Sequence, residues 1–584
     1  MRHMKSIRNT MNLNRKKTII TSLLLLAALS ILLTSCSAVA TVFMQEDTYL
    51  NDIEGIEDEV RTETPLSGGQ ITIPMPENPA NFNPLKVRNI NMANIYTLVY
   101  ESPLKIDIDG RIRAELVENW SVDNTGMIWT FHLRKDIQWH NGFGELTADD
   151  IVFTLDLITK YNTDESMYAR YNRRFGDYYA LDKYTFVLNS IDPRTIYDDE
   201  AIPEPSSYIE YAMTFPVLCR AYYETEENVD SRWPIGTGPY EFTSYQQEDG
   251  IRLDVNDDWW KKKPYIASIM AKPISDATAE IRAYNLQELD LVGTSDLSAN
   301  RYRKYGVTNV EEYMTQYYDC LVPNLYIPKG GQEKFVHSKK GRQAIAYALN
   351  KSQIISKVLV NHAVATDVPI PPDSWLFDTE LSIYEHNKKE AVRLIEELGY
   401  TEFDEDGFRA KTNEETGELE TLAIELMYPK EIEDSYKQNI ASLIEEQLEE
   451  LGMRIDLREL PKKRFEGYID AGNFDLALLS FYLDRNPDPR FMLHSQRSSA
   501  NYGYYKDEFM DFAIEECGIA LTDEDKKAAY SEVQKLFLEQ LPQISLYFRT
   551  NSLVYDDSIK GVNSFRSLDL FNEIQSWYVN SEVH

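Results

Sequence analysis

The stretch between residues 385 and 481 alternates helical and extended patterns, and this order restricts the fold more than any other feature of the chain. Apolar residues recur at helical spacing twice, and each helical run ends at a glycine, Gly399 or Gly452. A short alternating strand follows the second glycine. Residues 474–481, FDLALLSF, then form a continuous apolar run, as in a strand buried on both faces. This order predicts an α/β lobe built on an open sheet.

The carboxyl end of this buried strand is where we expect a ligand. Ligands of open α/β sheets bind in the crevice beyond the carboxyl ends of the strands. Here the strand runs into YLDRNPDPR, from which Asp484 and Asp488 emerge. A carboxylate in such a loop can bind a cationic group of a ligand. The alternative is that Asp484 caps the following helix or pairs with Arg485.

The chain is too long for one hydrophobic core. At 584 residues we expect two or three lobes. Alternation predicts strands in QITIPMP and in MIWTFHLR, where Trp129, Phe131 and Leu133 share one face. Thr147 and Asp150 have the spacing of a capping box and predict a helix over IVFTLDLI.

The N-terminus has the layout of an export signal. Six basic residues precede an apolar stretch of about 15 residues, which is shorter than a membrane-spanning helix requires. The stretch ends in Leu33-Thr34-Ser35-Cys36, which resembles a bacterial lipobox. We therefore predict that residues 1–35 are a lipoprotein signal peptide and that Cys36 is lipidated, so that acyl chains hold the protein on the outer face of the cell membrane.

An acidic segment follows the predicted lipidation site. Residues 46–63 hold eight carboxylates and one basic residue, a composition that repels itself and stays extended. We predict a tether over residues 36–65. The formal net charge of −35 argues against nucleic acid as a partner, because such binding requires a basic surface.

Cysteines and histidines give no sign of a metal site or a disulfide framework. Cys219, Cys320 and Cys517 are widely separated, so buried free thiols are expected. No HExxH or paired-histidine spacing occurs, and an isolated histidine is more often a surface residue or a satisfied core residue. We predict no metal, no cofactor and no catalytic residues. A secreted glycoside hydrolase is the enzymatic alternative, but it requires two catalytic carboxylates, and the sequence does not identify such a pair.

Several blocks, in this order, resemble the extracytoplasmic solute-binding proteins of ATP-driven importers, family 5, which includes dipeptide-, oligopeptide- and nickel-binding members. The blocks are LVYESPLKIDIDGRIRAELVENWSVDNTGMIWTFHLRKDIQWHNG, ELTADDIVFTL, PIGTGPYEF, NDDWWKKKPYIASI, ISDATAEIRAYNLQELDLVG, GRQAIAYALNKSQII, EAVRLIEELGY, FDLALLSFYLDRNPDPRFML and KLFLEQLPQISLYF. One departure is Ser338-Lys339-Lys340-Gly341, where members commonly carry an acidic residue, a basic one and an apolar one.

The resemblance implies an α/β fold of the periplasmic-binding-protein type II class, with two lobes that close on a ligand about a hinge. Lobe I is then residues 66–310 plus 548–584 and contains an extra subdomain, and lobe II is residues 311–547. The protein is expected to be a monomer. It is not expected to be an enzyme, because the ligand is trapped without any bond being broken.

The resemblance also implies a set of ligand-binding residues. In peptide-binding members, the aspartate that matches Asp484 meets the ammonium group of the peptide. Phe481 and Tyr482 are expected to exclude water from the cleft, and Asn83 and Asn501 complete the predicted set. Some oligopeptide binders carry an arginine for the ligand carboxylate where this chain has Leu478, so that recognition is in doubt at this position.

We expect a lipid-anchored, extracytoplasmic protein that captures peptides and delivers them to the permease subunits of an ABC importer. Oligosaccharides and nickel or haem complexes are alternative solutes. A surface receptor or signalling lipoprotein that binds peptides without feeding a transporter is an alternative of another class.

Overall fold

The computed structural model describes most of the chain after residue 64. The described residues are 65–77, 79, 81–162, 165–169, 175–190, 206–381, 384–414, 416–430, 436–484, 488–496, 500–567 and 569–580. The predicted signal peptide, Cys36 and nearly all of the predicted tether lie outside these residues. In the part of the chain that is described, no helix combines the length and the apolar character needed to cross a membrane.

The strands of the described residues form several sheets. In chain order they are β1 (Gln70–Pro76), β2 (Leu104–Ile106), β3 (Ile112–Ala114), β4 (Val117–Val122), β5 (Ile128–Leu133), β6 (Phe175–Asp182), β7 (Thr185–Ser190), β8 (Tyr240–Gln246), β9 (Gly250–Val255), β10 (Ser268–Ile274), β11 (Leu291–Thr294), β12 (Thr308–Pro323), β13 (Ala363–Ala365), β14 (Glu402–Phe403), β15 (Arg409–Thr412), β16 (Leu419–Thr421), β17 (Ala423–Lys430), β18 (Arg454–Pro461), β19 (Leu476–Tyr482), β20 (Ile544–Asp556), β21 (Ile559–Lys560) and β22 (Tyr578–Val579).

The α-helices range from a single turn to five turns. In chain order they are α1 (Ile90–Val99), α2 (Ala148–Ile158), α3 (Ile209–Ala212), α4 (Arg220–Tyr223), α5 (Glu226–Ser231), α6 (Ala277–Asn285), α7 (Lys339–Ala348), α8 (Lys351–Val358), α9 (Lys388–Glu397), α10 (Tyr436–Glu449), α11 (Lys462–Asp470), α12 (Arg490–Leu493), α13 (Glu508–Ile519) and α14 (Asp523–Gln540).

The local patterns of the sequence correspond to these elements. Thr147 is the N-cap of α2, and its backbone N–H donates to the Asp150 carboxylate at 2.8 Å, which confirms the predicted helix start. The glycines predicted to end helices, Gly399 and Gly452, both adopt positive φ just after α9 and α10. β19 begins at Leu476, two residues after the start of the apolar run, since its first backbone pairing with β12 is that of Leu476 with Pro323.

Two long strands organise the largest sheet. Its strand order is β11-β20-β12-β19-β17-β18, with β13 paired to β20. β12 and β20 run antiparallel over most of their length. The ladder between them is irregular between Met314 and Tyr318. The predicted lobe boundaries at residues 310 and 548 fall within these two strands and remain predictions.

Separate hydrophobic cores lie towards the two ends of the long strands. One core combines residues from Ile71 to Leu291 with the C-terminal residues Leu553 to Trp577. Two others cover opposite faces of β12, β19 and β20, one packed by α7 to α10 and the other by α12 to α14. Alternation along the strands explains the two faces, since successive side chains point to opposite sides.

Two smaller four-stranded sheets belong to the first of these cores. One has the order β1-β10-β9-β8 and the other the order β4-β5-β7-β6. Trp129, Phe131 and Leu133 of β5 are buried, as their alternation predicted. The three cysteines of the described residues, Cys219, Cys320 and Cys517, are buried free thiols.

Candidate functional site

A cavity of about 570 Å³ lies between the two predicted lobes. Its walls include residues between 84 and 261 and between 566 and 575 of lobe I, and residues between 369 and 376 and between 483 and 492 of lobe II. Met314, Thr315 and Gln316 of β12 complete the lining, a few residues beyond the predicted lobe boundary at residue 310. The volume is within the range of about 300–1,000 Å³ that small-ligand sites occupy.

The carboxyl end of β19 opens into this cavity. Leu483 and Asp484 line it, and the Leu483 N–H donates to the Gln316 carbonyl at 2.9 Å, which fixes the end of β19 against β12. Asp488 lines it too, and its carboxylate accepts the N–H of Arg490, the first residue of α12, at 3.0 Å. Asp488 therefore serves the start of this helix, the role that the sequence had left open for Asp484.

The two lobes also touch beside the cavity. The backbone N–H of Trp375 donates to the backbone carbonyl of Asp109 at 2.8 Å, and the Arg111 guanidinium lies 4.8 Å from the Trp375 ring centroid. Arg111 is also 3.3 Å from the Asp523 carboxylate of α14. Farther along α14, the buried Lys526 pairs with Glu210 of α3. With the predicted lobe boundaries, these contacts join lobe I to lobe II in addition to the strands β12 and β20.

A buried carboxylate, Glu101, anchors the wall of lobe I. It accepts the indole N–H groups of Trp259 at 3.2 Å and of Trp260 at 2.8 Å, and the Thr237 hydroxyl at 2.9 Å. The Lys261 ammonium lies 3.4 Å from Glu101 and also pairs with Glu115. Lys261 therefore forms ion pairs with both carboxylates at the edge of the cavity. Sequence reasoning missed this cluster, although WWKK stood inside a block of the family resemblance.

Burial raises the pKa of Glu101 from 4.5 to about 7, and the nearby Glu115 carboxylate adds to the rise, while Lys261 and the hydrogen bonds of Trp260 and Thr237 oppose it. The protonated form of Glu101 is therefore favoured in the folded protein relative to the unfolded chain. Its contribution to stability is complete below pH 4.5 and is lost as the pH rises through about 7.

The turn at residues 236–239 holds Thr237 against Glu101. A Cβ at Gly236 would lie 1.9 Å from the Val99 carbonyl oxygen, so only glycine permits this close approach to the end of α1. His140 locks the turn, because its Nδ1 accepts the Gly236 N–H at 3.3 Å while its Nε2 lies 3.0 Å from the Gly238 carbonyl. Burial lowers the pKa of His140 to about 4, so this ring is neutral at pH 7.

Of the predicted ligand-binding residues, Asp484 lines the cavity and the others lie elsewhere. Phe481 is buried among Tyr318, Phe491 and Tyr502. Tyr482 points to the opposite face of β19, is 45% exposed, and packs edge-on against Tyr317. Both remain predictions as ligand contacts.

The two predicted asparagines are buried and hydrogen-bonded within the protein. Asn83 is the N-cap of a short 3₁₀ turn at residues 84–86, and its amide donates to Asp230 at 2.7 Å. Asn501 donates to the His494 and Tyr505 carbonyls at 3.0 and 2.9 Å. The structure brings neither side chain to the cavity with Asp484, so their role in binding also remains a prediction.

The charges that line the cavity are mostly acidic. They are Glu101, Asp109, Glu115, Asp373, Asp484, Asp488, Asp569 and Glu573, against Lys105, Arg134, Lys261 and Arg566. Burial raises the pKa of Asp373, and the positive charge of Arg566 opposes the rise. The described part of the chain holds no group of three or more His, Cys, Asp or Glu side chains arranged to bind a metal ion.

Known proteins resemble this chain over nearly its whole length. The oligopeptide-binding protein AppA of Bacillus subtilis is 22% identical over 97% of this chain and 100% of its own. The structure of AppA with a nonapeptide has a TM-score of 0.59 at 21% identity and covers 89% of this chain and 100% of that one. NikZ of Campylobacter jejuni, in complex with Ni(L-His), has a TM-score of 0.62 at 20% identity and covers 88% and 100%.

A family model identifies the class. The model described as bacterial extracellular solute-binding proteins, family 5 Middle, matches residues 111–504, which is more than half of the chain. The related structures share the two-lobed α/β fold, as expected from the sequence. Proteins of this family bind solutes for transport and are not enzymes, so the hydrolase alternative is set aside. This chain belongs to the bacterial extracellular solute-binding proteins of family 5.

Proposed function

We propose that this protein captures peptides in the cavity between its lobes and delivers them to the permease subunits of an ABC importer. The observation that carries the proposal is the position of Asp484, which lines the cavity at the carboxyl end of β19. A carboxylate in a cleft that closes around its ligand forms a strong, charge-assisted hydrogen bond with the ammonium group of a peptide.

The rest of the cavity also suits an extended peptide. Aromatic and aliphatic side chains, among them Tyr96, Tyr168 and Ile370, offer apolar contacts. The similarity to AppA, an oligopeptide-binding protein, supports a peptide ligand rather than a sugar. The similarity to NikZ, whose structure holds Ni(L-His), makes a metal complex the alternative ligand. Because both lobes contribute to the lining, a ligand that contacts both would favour the closed arrangement over the open one.

Mass spectrometry under native conditions on freshly purified protein tests the ligand class. We expect a retained mass that dissociates on activation and fragments as a peptide. A hexose series or a metal-containing ligand would contradict the peptide proposal and leave the solute-binding role intact. Adjacent permease and ATPase genes would support import, whereas isolated coding would support the receptor alternative.

We propose that the anchor is a diacylglyceryl group on Cys36, with residues 36–65 as a spacer between the membrane and a monomeric folded body. The support is the layout of the first 36 residues, with basic groups, a short apolar run and a lipobox-like end. Two or more acyl chains hold a protein on a bilayer without a spanning helix.

Replacing Cys36 by serine should release the protein from membranes or leave it as an uncleaved precursor, because serine has no thiol to accept the lipid. Fractionation of cells, together with the intact mass of the product, checks this. Cys219→Ser is a matched control, since that thiol is buried in the folded body. A Cys36→Ser protein that is processed and membrane-bound like the parent would rule lipidation out.

A further inference from the structure

Arg134 is a cation of the cavity wall whose position is fixed by its neighbours. It follows the last residue of β5 and lines the cavity. Its Nε donates to the Glu115 carbonyl at 2.7 Å, and its guanidinium lies 5.1 Å from the Trp260 ring centroid. A hydrogen bond at one end and an aromatic face beside the plane restrict the orientation of the group.

Two other cations of the same wall are already paired with carboxylates. Lys261 lies against Glu101 and Glu115, and Lys105 is 3.6 Å from the Glu573 carboxylate. Among the residues that the structure describes, no carboxylate lies within ion-pair distance of Arg134, whose side chain donates its hydrogen bond to the backbone carbonyl of Glu115. A guanidinium has five N–H donors in a planar fork, so within the described part of the chain the terminal nitrogens of Arg134 remain available.

A partly buried guanidinium that is held in one orientation on a cavity wall, with its terminal N–H groups directed to no described carboxylate, is best suited to bind a carboxylate of the ligand. Carboxylates accept two parallel N–H bonds from such a fork, and the pair gains most where water is excluded. We propose that Arg134 binds a carboxylate group of the ligand, on lobe I, while Asp484 of lobe II binds the ammonium group. This inference rests on the proposed peptide-binding function and narrows its ligands to those that carry a carboxylate.

The test uses the whole protein and a mixed-length random peptide library that contains no Asp or Glu. The library is prepared once with free carboxyl termini and once with C-terminal amides, and a third library is amidated but includes Asp and Glu. Peptides retained through gel filtration are quantified by mass spectrometry. The variants are Arg134→Gln, which removes the charge, Arg134→Lys, which keeps it without the fork, and Lys135→Gln, an exposed neighbour that does not line the cavity.

We expect the parent and Lys135→Gln to retain the free-acid library roughly 10- to 100-fold better than the amides without Asp or Glu. In Arg134→Gln this preference should vanish, and in Arg134→Lys it should be reduced. If the third library is retained as well as the free acids, a side-chain carboxylate is the group bound. Thermal unfolding midpoints of the variants establish that the folded state is intact.

The outcomes separate this inference from the proposed function. If the parent retains acids and amides equally, or if Arg134→Gln keeps the preference for acids, the role of Arg134 is overturned while peptide capture stands. If the parent retains no peptide from any library, the peptide function itself fails, and the carboxylate role falls with it.

Discussion

The Asp319→Asn protein should lose about 3–5 kcal/mol of its free energy of unfolding. Asp319 of β12 is 1% exposed, and its two oxygens accept Nε of Arg549 at 2.6 Å and Nη2 at 2.8 Å. Ser480 of β19 hydrogen-bonds to both partners, so the pair links three adjacent strands of the central sheet. The asparagine keeps the shape but leaves the partly buried guanidinium of Arg549 without its counter-charge.

Urea-induced unfolding followed by tryptophan fluorescence measures this loss. Glu532→Gln is the matched control, because the Glu532–Lys535 pair is more than half exposed on both sides and is worth less than about 1 kcal/mol. The double variant Asp319→Asn, Arg549→Gln should recover part of the loss, since it removes the unpaired charge as well. A loss no greater than that of the control would show that the ion pair does not hold the three strands together.

Asp484→Asn should weaken the binding of a peptide with a free amino terminus by roughly 100-fold, and leave its N-acetylated form almost unaffected. The carboxylate forms a charge-assisted hydrogen bond with the ammonium group, whereas the acetylated amide offers no charge. Calorimetric titration with a peptide identified from the purified protein, and with its acetylated form, measures both affinities.

Two further variants make this result specific. Glu508→Gln removes an exposed carboxylate of α13 that does not line the cavity, and its affinities should equal those of the parent. Asp488→Asn removes the other aspartate of the loop, whose carboxylate already accepts the Arg490 N–H. Equal losses for free and acetylated peptides in Asp484→Asn would contradict an ammonium contact, and a selective loss in Asp488→Asn would transfer the role to that residue.

The local elements were predictable because their signals lie close together in the sequence. The two residues of the capping pair of α2 are three positions apart, and the glycines after α9 and α10 stand where a left-handed turn is needed. The alternation in β5 also assigned the buried face of that strand, and the apolar run of β19 located the strand itself. Each of these depends on contacts within one turn or one strand, which the neighbouring residues largely determine.

The residues of the predicted site were harder to assign, because the direction of each side chain and its contacts with residues distant in the sequence decide whether it reaches the cavity. Position 484 followed from the rule that ligands bind beyond the ends of strands. The same reasoning could not tell that Phe481 points into a core with Phe491 while Tyr482 points to the other face. Nor could it tell that Asn83 would be committed to Asp230, a residue far along the chain.

By itself, the sequence indicated an α/β lobe, several of its helices and strands, and the strand end at which Asp484 emerges, and its family resemblance gave the two-lobed class of fold. Only the tertiary structure decided which side chains share the cavity, since Glu101, Arg134 and Trp260 come from separate segments that meet through packing. The physical reason is that helix and strand propensity acts between near neighbours, whereas burial and charge pairing depend on residues that only the folded chain brings together.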